Sequence, residues 1–340
     1  GRIEGHKVDD KSEPLENAVF GLFTADCVKF SRDTAVMTAA SDENGYFVFD
    51  EIPYGEYIIH EIETPTGYIF SDESYPVTVS EDGDVVEITA VNKPITIEIS
   101  KVNVYGEELI GAEMQLIDSE DNVVDEWVSD GTNHVVSKLG AGEYVLKEIA
   151  APDGYVIAAD IKFSVDVYGN VTVENVDSKA VSDNGDPLIT MVDDTTKVQI
   201  SKQDITTGEE LPGATLQIID EDGNVVEEWV STNEPHMIEG KLIASKEYTL
   251  KEIIAPEGYE IANEIKFTVN ADGTVTEVVM YDEHTPDLET PPTVTIDTPN
   301  TGVSADNSAE LYLVATAVIM AFGMLICKKN DKKQRKDDVK

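Results

Sequence analysis

Ala214, Leu216 and Ile218 alternate with Thr215, Gln217 and Ile219. This is the period of two expected of a strand with one buried face. EYVLKE (143–148) and EYTLKE (247–252) alternate in the same way, and a Pro-x-Gly-Tyr segment follows each, which predicts a turn. Asp222-Gly223-Asn224 and Asp272-Gly273 separate further apolar runs and predict hairpin turns. No segment before residue 303 has a helical period. Short strands punctuated this way predict an all-β chain of sandwiches about 100 residues long.

The pattern recurs three times. HKVDDKSEPLENAVFGLF, ISKVNVYGEELIGAEMQL and ISKQDITTGEELPGATLQI open the repeats, and EYIIHEIETPTGY (56–68), EYVLKEIAAPDGY (143–155) and EYTLKEIIAPEGY (247–259) follow in each. Lys7 to Lys101 is 94 residues and Lys101 to Lys202 is 101. That is a domain-sized period, longer than the ~20–50 residues of a solenoid. The expected organisation is three β-sandwiches, 1–97, 98–197 and 198–284. A Pro/Thr-rich linker, 285–302, and a carboxyl tail, 303–340, follow. The second repeat carries a polar insertion, 174–187, before its last strand.

Charge divides the chain differently. The 340 residues hold 24 Lys+Arg against 68 Asp+Glu, a net −44. Residues 1–302 hold 17 basic and 63 acidic side chains, and 303–340 hold seven and five. An acidic body of this kind excludes nucleic acid as a partner, because phosphate contacts need clustered cations. The only cysteines are Cys27 and Cys327, too few for a disulfide scaffold or a paired-cysteine zinc site. Cys27 reads as a small apolar residue in a strand or loop. The acidic stretches 118–122 and 220–224 lack the spacing of a calcium loop and read as hairpin turns. Trp127 and Trp229 hold equivalent places in VVDEWVS and VVEEWVS, which suits packing rather than ligand binding. No metal or cofactor is implied.

Residues 311–327, LYLVATAVIMAFGMLIC, form an uncharged run of 17, followed by KKNDKKQRK. The run is at the short end of the ~17–25 residues of a spanning helix, and the basic flank should stay cytoplasmic. Upstream lies Thr298-Pro299-Asn300-Thr301-Gly302. This order resembles the cell-wall sorting signal of Gram-positive surface proteins, usually Leu-Pro-x-Thr-Gly, with Thr298 in place of Leu. The resemblance implies a membrane-held precursor, cleavage between Thr301 and Gly302 by a sortase, and transfer of Thr301 to peptidoglycan or to a pilin. A plain single-span anchor is the alternative. Residues 1–10 lack an initiator Met and an apolar core, so a mature form or, preferably, a fragment is expected.

Each repeat resembles the prealbumin-like B-type domain of collagen adhesins and SpaA-type pilins. The second block resembles that family's E-box, Tyr-x-Leu-x-Glu-Thr-x-Ala-Pro-x-Gly-Tyr. Ile62, Ile149 and Ile253 replace its usual Thr, and Thr64 replaces its Ala in the first copy. The resemblance implies an intramolecular isopeptide bond per repeat, promoted by a glutamate. The sets are Lys7–Glu61–Asn92, Lys101–Glu148–Asp193 and Lys202–Glu252–Asp282, with Asp194 as the alternative to Asp193. Burial would lower the lysine pKa and raise the glutamate's, so that a neutral acid polarises the carbonyl while the amine attacks. The same residues could instead be a snorkelling lysine and a solvated glutamate. Each closure happens once, so this is maturation and no enzyme activity is expected. The chain reads as a surface stalk presenting an upstream region that would carry any host or matrix ligand. The alternatives are a minor or basal pilin subunit and the stalk of a wall-bound enzyme. The acceptor lysine of shaft pilins, in a Tyr-Pro-Lys-type motif, has no counterpart; Val-Tyr-Gly at 167–169 is the nearest look-alike.

Overall fold

The computed structural model describes residues 1–81, 83–174 and 180–286. Among the described residues there are 22 strands and no helix, and the all-β expectation holds. The tail features at 298–302 and 311–327 lie outside the described residues.

Repeat 1 contains β1 (Arg2–Asp9), β2 (Val19–Thr24), β3 (Met37–Ala40), β4 (Tyr46–Phe49), β5 (Gly55–Glu63), β6 (Ser74–Val79) and β7 (Val85–Asn92). They form two sheets, β4-β1-β7 and β3-β2-β5-β6. Repeat 2 contains β8 (Thr96–Asn103), β9 (Ile110–Asp118), β10 (Val123–Asp130), β11 (His134–Ser137), β12 (Gly142–Ala150), β13 (Ile161–Val165), β14 (Val171–Val173) and β15 (Leu188–Asp193). Its sheets are β11-β8-β15 and β10-β9-β12-β13-β14. Repeat 3 contains β16 (Lys197–Asp204), β17 (Thr215–Ile219), β18 (Val225–Val230), β19 (His236–Glu239), β20 (Glu247–Ile254), β21 (Ile265–Thr268) and β22 (Thr276–Asp282). Its sheets are β19-β16-β22 and β18-β17-β20-β21.

In every repeat the first strand is central in the smaller sheet and lies parallel to the last strand. Other ladders are antiparallel. The inward faces meet in three separate cores, around Phe20 and Phe47, around Met114 and Leu146, and around Leu216 and Leu250. Alternation in β17 is as the sequence predicts, with Leu216 and Ile218 fully buried.

Asp222-Gly223-Asn224 is a hairpin turn between paired β17 and β18. Asp272-Gly273 is not. It joins β21 to β22, which belong to different sheets. The last strand has to leave its neighbour to reach the first strand, so the turn crosses the sandwich. The insertion in repeat 2 covers Glu98, which accepts from Ser182 Oγ, Asn184 Nδ2 and Asn133 Nδ2 at 2.8 Å each. Those donors hold this buried carboxylate below its ordinary pKa. A residue on the outer face by alternation is thereby buried.

The Gly of each Pro-x-Gly-Tyr turn accepts from the segment that follows its repeat's last strand. The N–H of Ile95 donates to the Gly67 carbonyl, that of Thr196 to Gly154, and that of Thr285 to Gly258, at 2.9 Å in each case. All three glycines have φ between +85° and +88°, a region that side chains disfavour.

Candidate functional site

Alternation carries a charged residue to the end of three apolar rows. On the first strands, Ile3, Gly5 and Lys7 share a face, as do Ile97, Ile99 and Lys101, and Val198, Ile200 and Lys202; all are buried. On the last strands the parallel register sets Lys7 opposite Ala90, Lys101 opposite Met191 and Lys202 opposite Met280. Asn92, Asp193 and Asp282 come two residues later, on the same face. The glutamates enter from the opposing sheet, where their cross-strand neighbours are Phe20, Met114 and Leu216.

A β-bulge follows each glutamate directly. Ile62, Ile149 and Ile253 are the extra residues, without a partner in the ladder. A bulge bends the strand and re-aims the side chains beside it. These are the positions where isoleucine departs from the family pattern, and the bulge was not evident in the sequence.

The nine residues named from sequence come together in three sets, each residue no more than 5% exposed. In repeat 1, Lys7 Nζ donates to Asn92 Oδ1 and lies 3.4 Å from Glu61 Oε1. Asn92 Nδ2 donates to both Glu61 oxygens at 3.1 Å and to Thr64 Oγ1 at 2.6 Å. Lys7 packs over the Phe20 ring, 5.6 Å from its centroid. Burial lowers the Lys7 pKa, with Glu61 opposing. Burial likewise raises the Glu61 pKa, with Lys7 opposing.

Repeats 2 and 3 differ. Lys101 Nζ pairs with Asp193 Oδ1 and lies 3.2 Å from Glu148 Oε1; Lys202 Nζ pairs with Asp282 Oδ1 and lies 3.1 Å from Glu252 Oε1. The backbone N–H groups of Ala158 and Ala262 donate to the other glutamate oxygens at 2.7 Å. Glu148 Oε1, Asp193 Oδ2, Glu252 Oε1 and Asp282 Oδ2 are buried with no hydrogen-bond partner. Burial pushes Asp193 up to about 7, with Lys101 opposing and Glu148 adding to the rise. Asp282 rises for the same reasons. Two adjacent carboxyls that lack donors are satisfied if one proton lies between them.

Each set therefore holds an amine against a carboxamide or carboxyl, beside a buried glutamate, in an apolar wall. Amide formation needs those three groups. Asp194, the alternative third member in repeat 2, pairs with Lys197 at 2.7 Å.

Thr64 was read only as a departure from a pattern, and the donor N–H groups of Ala158 and Ala262 were not foreseen. Backbone donors leave no mark in side-chain identity. Cys27 is half-buried in the β2–β3 loop, with Sγ 3.2 Å from the Lys29 carbonyl. Trp127 and Trp229 pack on the edges of their cores and stack on His134 and His236, with centroids 4.0 and 4.5 Å apart.

The family described as SpaA, prealbumin-like fold domain, matches residues 1–94, 95–179 and 196–284. Among curated proteins, the trypsin-resistant surface T6 protein of Streptococcus pyogenes serotype M6 is 28% identical over 96 residues, which cover 28% of this chain and 17% of that protein. The Bacillus anthracis TIE protein is 23% identical, with 83% of this chain and 51% of that chain covered and a TM-score of 0.41. The chain thus spans a small part of the curated relative and about half of the TIE chain. BcpA, the major pilin subunit of Bacillus cereus, is 16% identical, covering 84% of this chain and 99% of its own, with a TM-score of 0.36. The major pilin SpaD of Corynebacterium diphtheriae is 15% identical, covering 84% and 97%, with a TM-score of 0.37.

Proposed function

This chain belongs to the SpaA family of prealbumin-like fold domains, and on that premise we propose that it is a bacterial surface stalk whose repeats are each closed by an internal amide bond. The observation that carries the reading is the same buried Lys–Glu–Asn/Asp set at the same place in three repeats. A single buried lysine beside a glutamate is a costly arrangement. Its threefold recurrence between the first and last strands fits a bond joining them.

The lysine passes a proton to its neighbours and attacks Cγ as a neutral amine. In repeat 1 the Nζ–Cγ bond forms, the Cγ–Nδ2 bond breaks, and one proton moves from Nζ to the departing nitrogen through Glu61, releasing ammonia. In repeats 2 and 3 the Nζ–Cγ bond forms and a Cγ–O bond of the protonated carboxyl breaks, and its hydroxyl takes one proton from Nζ and leaves as water. By analogy with a disulfide, closing loops of this length contributes about 4–5 kcal/mol each. The acidic surface keeps such a stalk soluble and apart from its neighbours.

Intact-mass spectrometry of the chain tests this. One ammonia and two waters should be missing, and Glu148→Ala should restore only the second repeat's water. An unmodified mass would end the reading.

The carboxyl end adds a location. Thr298–Gly302, the apolar run 311–327 and the basic flank support cleavage by a sortase at Thr301 and transfer to peptidoglycan, or equally to a pilin. Thr301→Ala should leave the protein in the membrane fraction; its continued release by muramidase would refute wall anchoring.

A further inference from the structure

Repeat 1 differs from its two companions at two positions together. It has Asn92 where they have Asp193 and Asp282, and Thr64 where they have Ala151 and Ala255. The two exceptional residues touch: Asn92 Nδ2 donates to Thr64 Oγ1 at 2.6 Å, the shortest of its three contacts to acceptors. Thr64 is half-exposed while Asn92 is buried, so the amide nitrogen is held by a residue that itself reaches solvent.

We infer that Thr64 is the leaving-group residue of repeat 1, which fixes the Asn92 carboxamide for attack by Lys7 and matches this repeat to the loss of ammonia. The inference rests on the amide closure proposed above. A carboxamide has two N–H bonds. Glu61 takes one and Thr64 the other, so Oδ1 is left facing Lys7 Nζ. A flipped amide would turn its oxygen towards the Glu61 carboxylate and its NH2 towards Lys7 Nζ, and lose the bonds to both. When Cγ–Nδ2 breaks, the proton from Nζ arrives through Glu61, and Thr64 keeps its hold on the nitrogen as it becomes ammonia at the solvent side. An aspartate needs the reverse. A hydroxyl there would donate to Oδ2 and favour the ionised form, which is a poor acceptor of an amine. In repeats 2 and 3 that oxygen has no partner, and alanine stands at the position equivalent to Thr64.

The test is timed cell-free synthesis of the full chain, quenched in acid and digested. The branched peptides joining Lys7 to Asn92 and Lys101 to Asp193 are then measured by mass spectrometry. Thr64→Ala should slow closure of repeat 1 about tenfold, the scale of one lost hydrogen bond, and leave repeat 2 unchanged. Thr64→Ser should restore the rate. In the Asn92→Asp background, Thr64→Ala should not slow closure, because no amide nitrogen remains to be held. Equal slowing in the Asn92 and Asn92→Asp backgrounds would assign Thr64 a merely structural part and overturn the inference, as would unchanged closure in Thr64→Ala. If the unaltered chain yields no branched peptide, the closure reading itself fails and the inference falls with it.

Discussion

Repeats 1 and 2 bury the same lysine and the same glutamate, yet they satisfy the third residue in opposite ways. Around Asn92 every amide hydrogen has an acceptor and the oxygen has a donor. Around Asp193 one oxygen faces Lys101 and the other has no partner. A neutral amide is complete without borrowing a proton. A carboxyl beside a second carboxyl is complete only when it holds one. Under the closures proposed above, one fold would support two leaving groups by changing two side chains, with the backbone retained.

Removing the lysines should expose that difference most strongly. Lys7→Met and Lys101→Met would each abolish a proposed bond and should each cost several kcal/mol of stability, from the lost loop closure of about 4–5 kcal/mol. Scanning calorimetry as a function of pH should then separate them. Asp193 has an ordinary pKa of 3.8 and a folded value of about 7. The folded state therefore binds the additional proton between those values, and stability falls as pH rises through that window. Without Lys101 the opposing cation is gone and the folded value rises further. Lys7→Met leaves one buried carboxyl in its site, Glu61, and Lys101→Met leaves two, Glu148 and Asp193. Lys101→Met should therefore lose up to a few kcal/mol more than Lys7→Met at pH 8, and the two should converge near pH 4. Parallel curves would mean that the two sites do not differ as described.

The lysines and glutamates were legible through the resemblance to the family's motifs, and alternation agrees with the face each takes. Lys101 follows Ile97 and Ile99 in step, and Glu148 follows Tyr144 and Leu146. A period of two assigns a face whatever the residue's charge. The bulges at Ile62, Ile149 and Ile253 were not legible, because an extra residue in a ladder depends on the partner strand. Glu98 was missed for a related reason: its burial comes from an insertion more than 80 residues away. Asp272-Gly273 carries the letters of a hairpin, but the sheet to which the next strand belongs is a tertiary choice. Thr64 had a usable signal, its joint variation with Asn92 among the three copies.

The smallest effect concerns the turn glycines. A Cβ on Gly154 would run into the Gly240 carbonyl, whereas around Gly258 nothing lies within 4 Å. Both have positive φ. Gly258→Ala should therefore cost about 1 kcal/mol from backbone strain alone, and Gly154→Ala about 2–3 kcal/mol because the junction must also shift. Chemical denaturation of the two variants checks this, and equal costs would show that the junction yields freely.

The parallel pairing of first and last strands also has a mechanical consequence. If a repeat is pulled by its two ends, the force enters the amino end of β1 and leaves at the carboxyl end of β7, opposite ends of two strands that run side by side in one direction. The pair is loaded in shear. Every rung of the ladder resists at once, and the strands cannot peel apart one hydrogen bond at a time. With register set from Arg2 opposite Val85 to Asp9 opposite Asn92, eight residue pairs share the load even before any covalent bond forms.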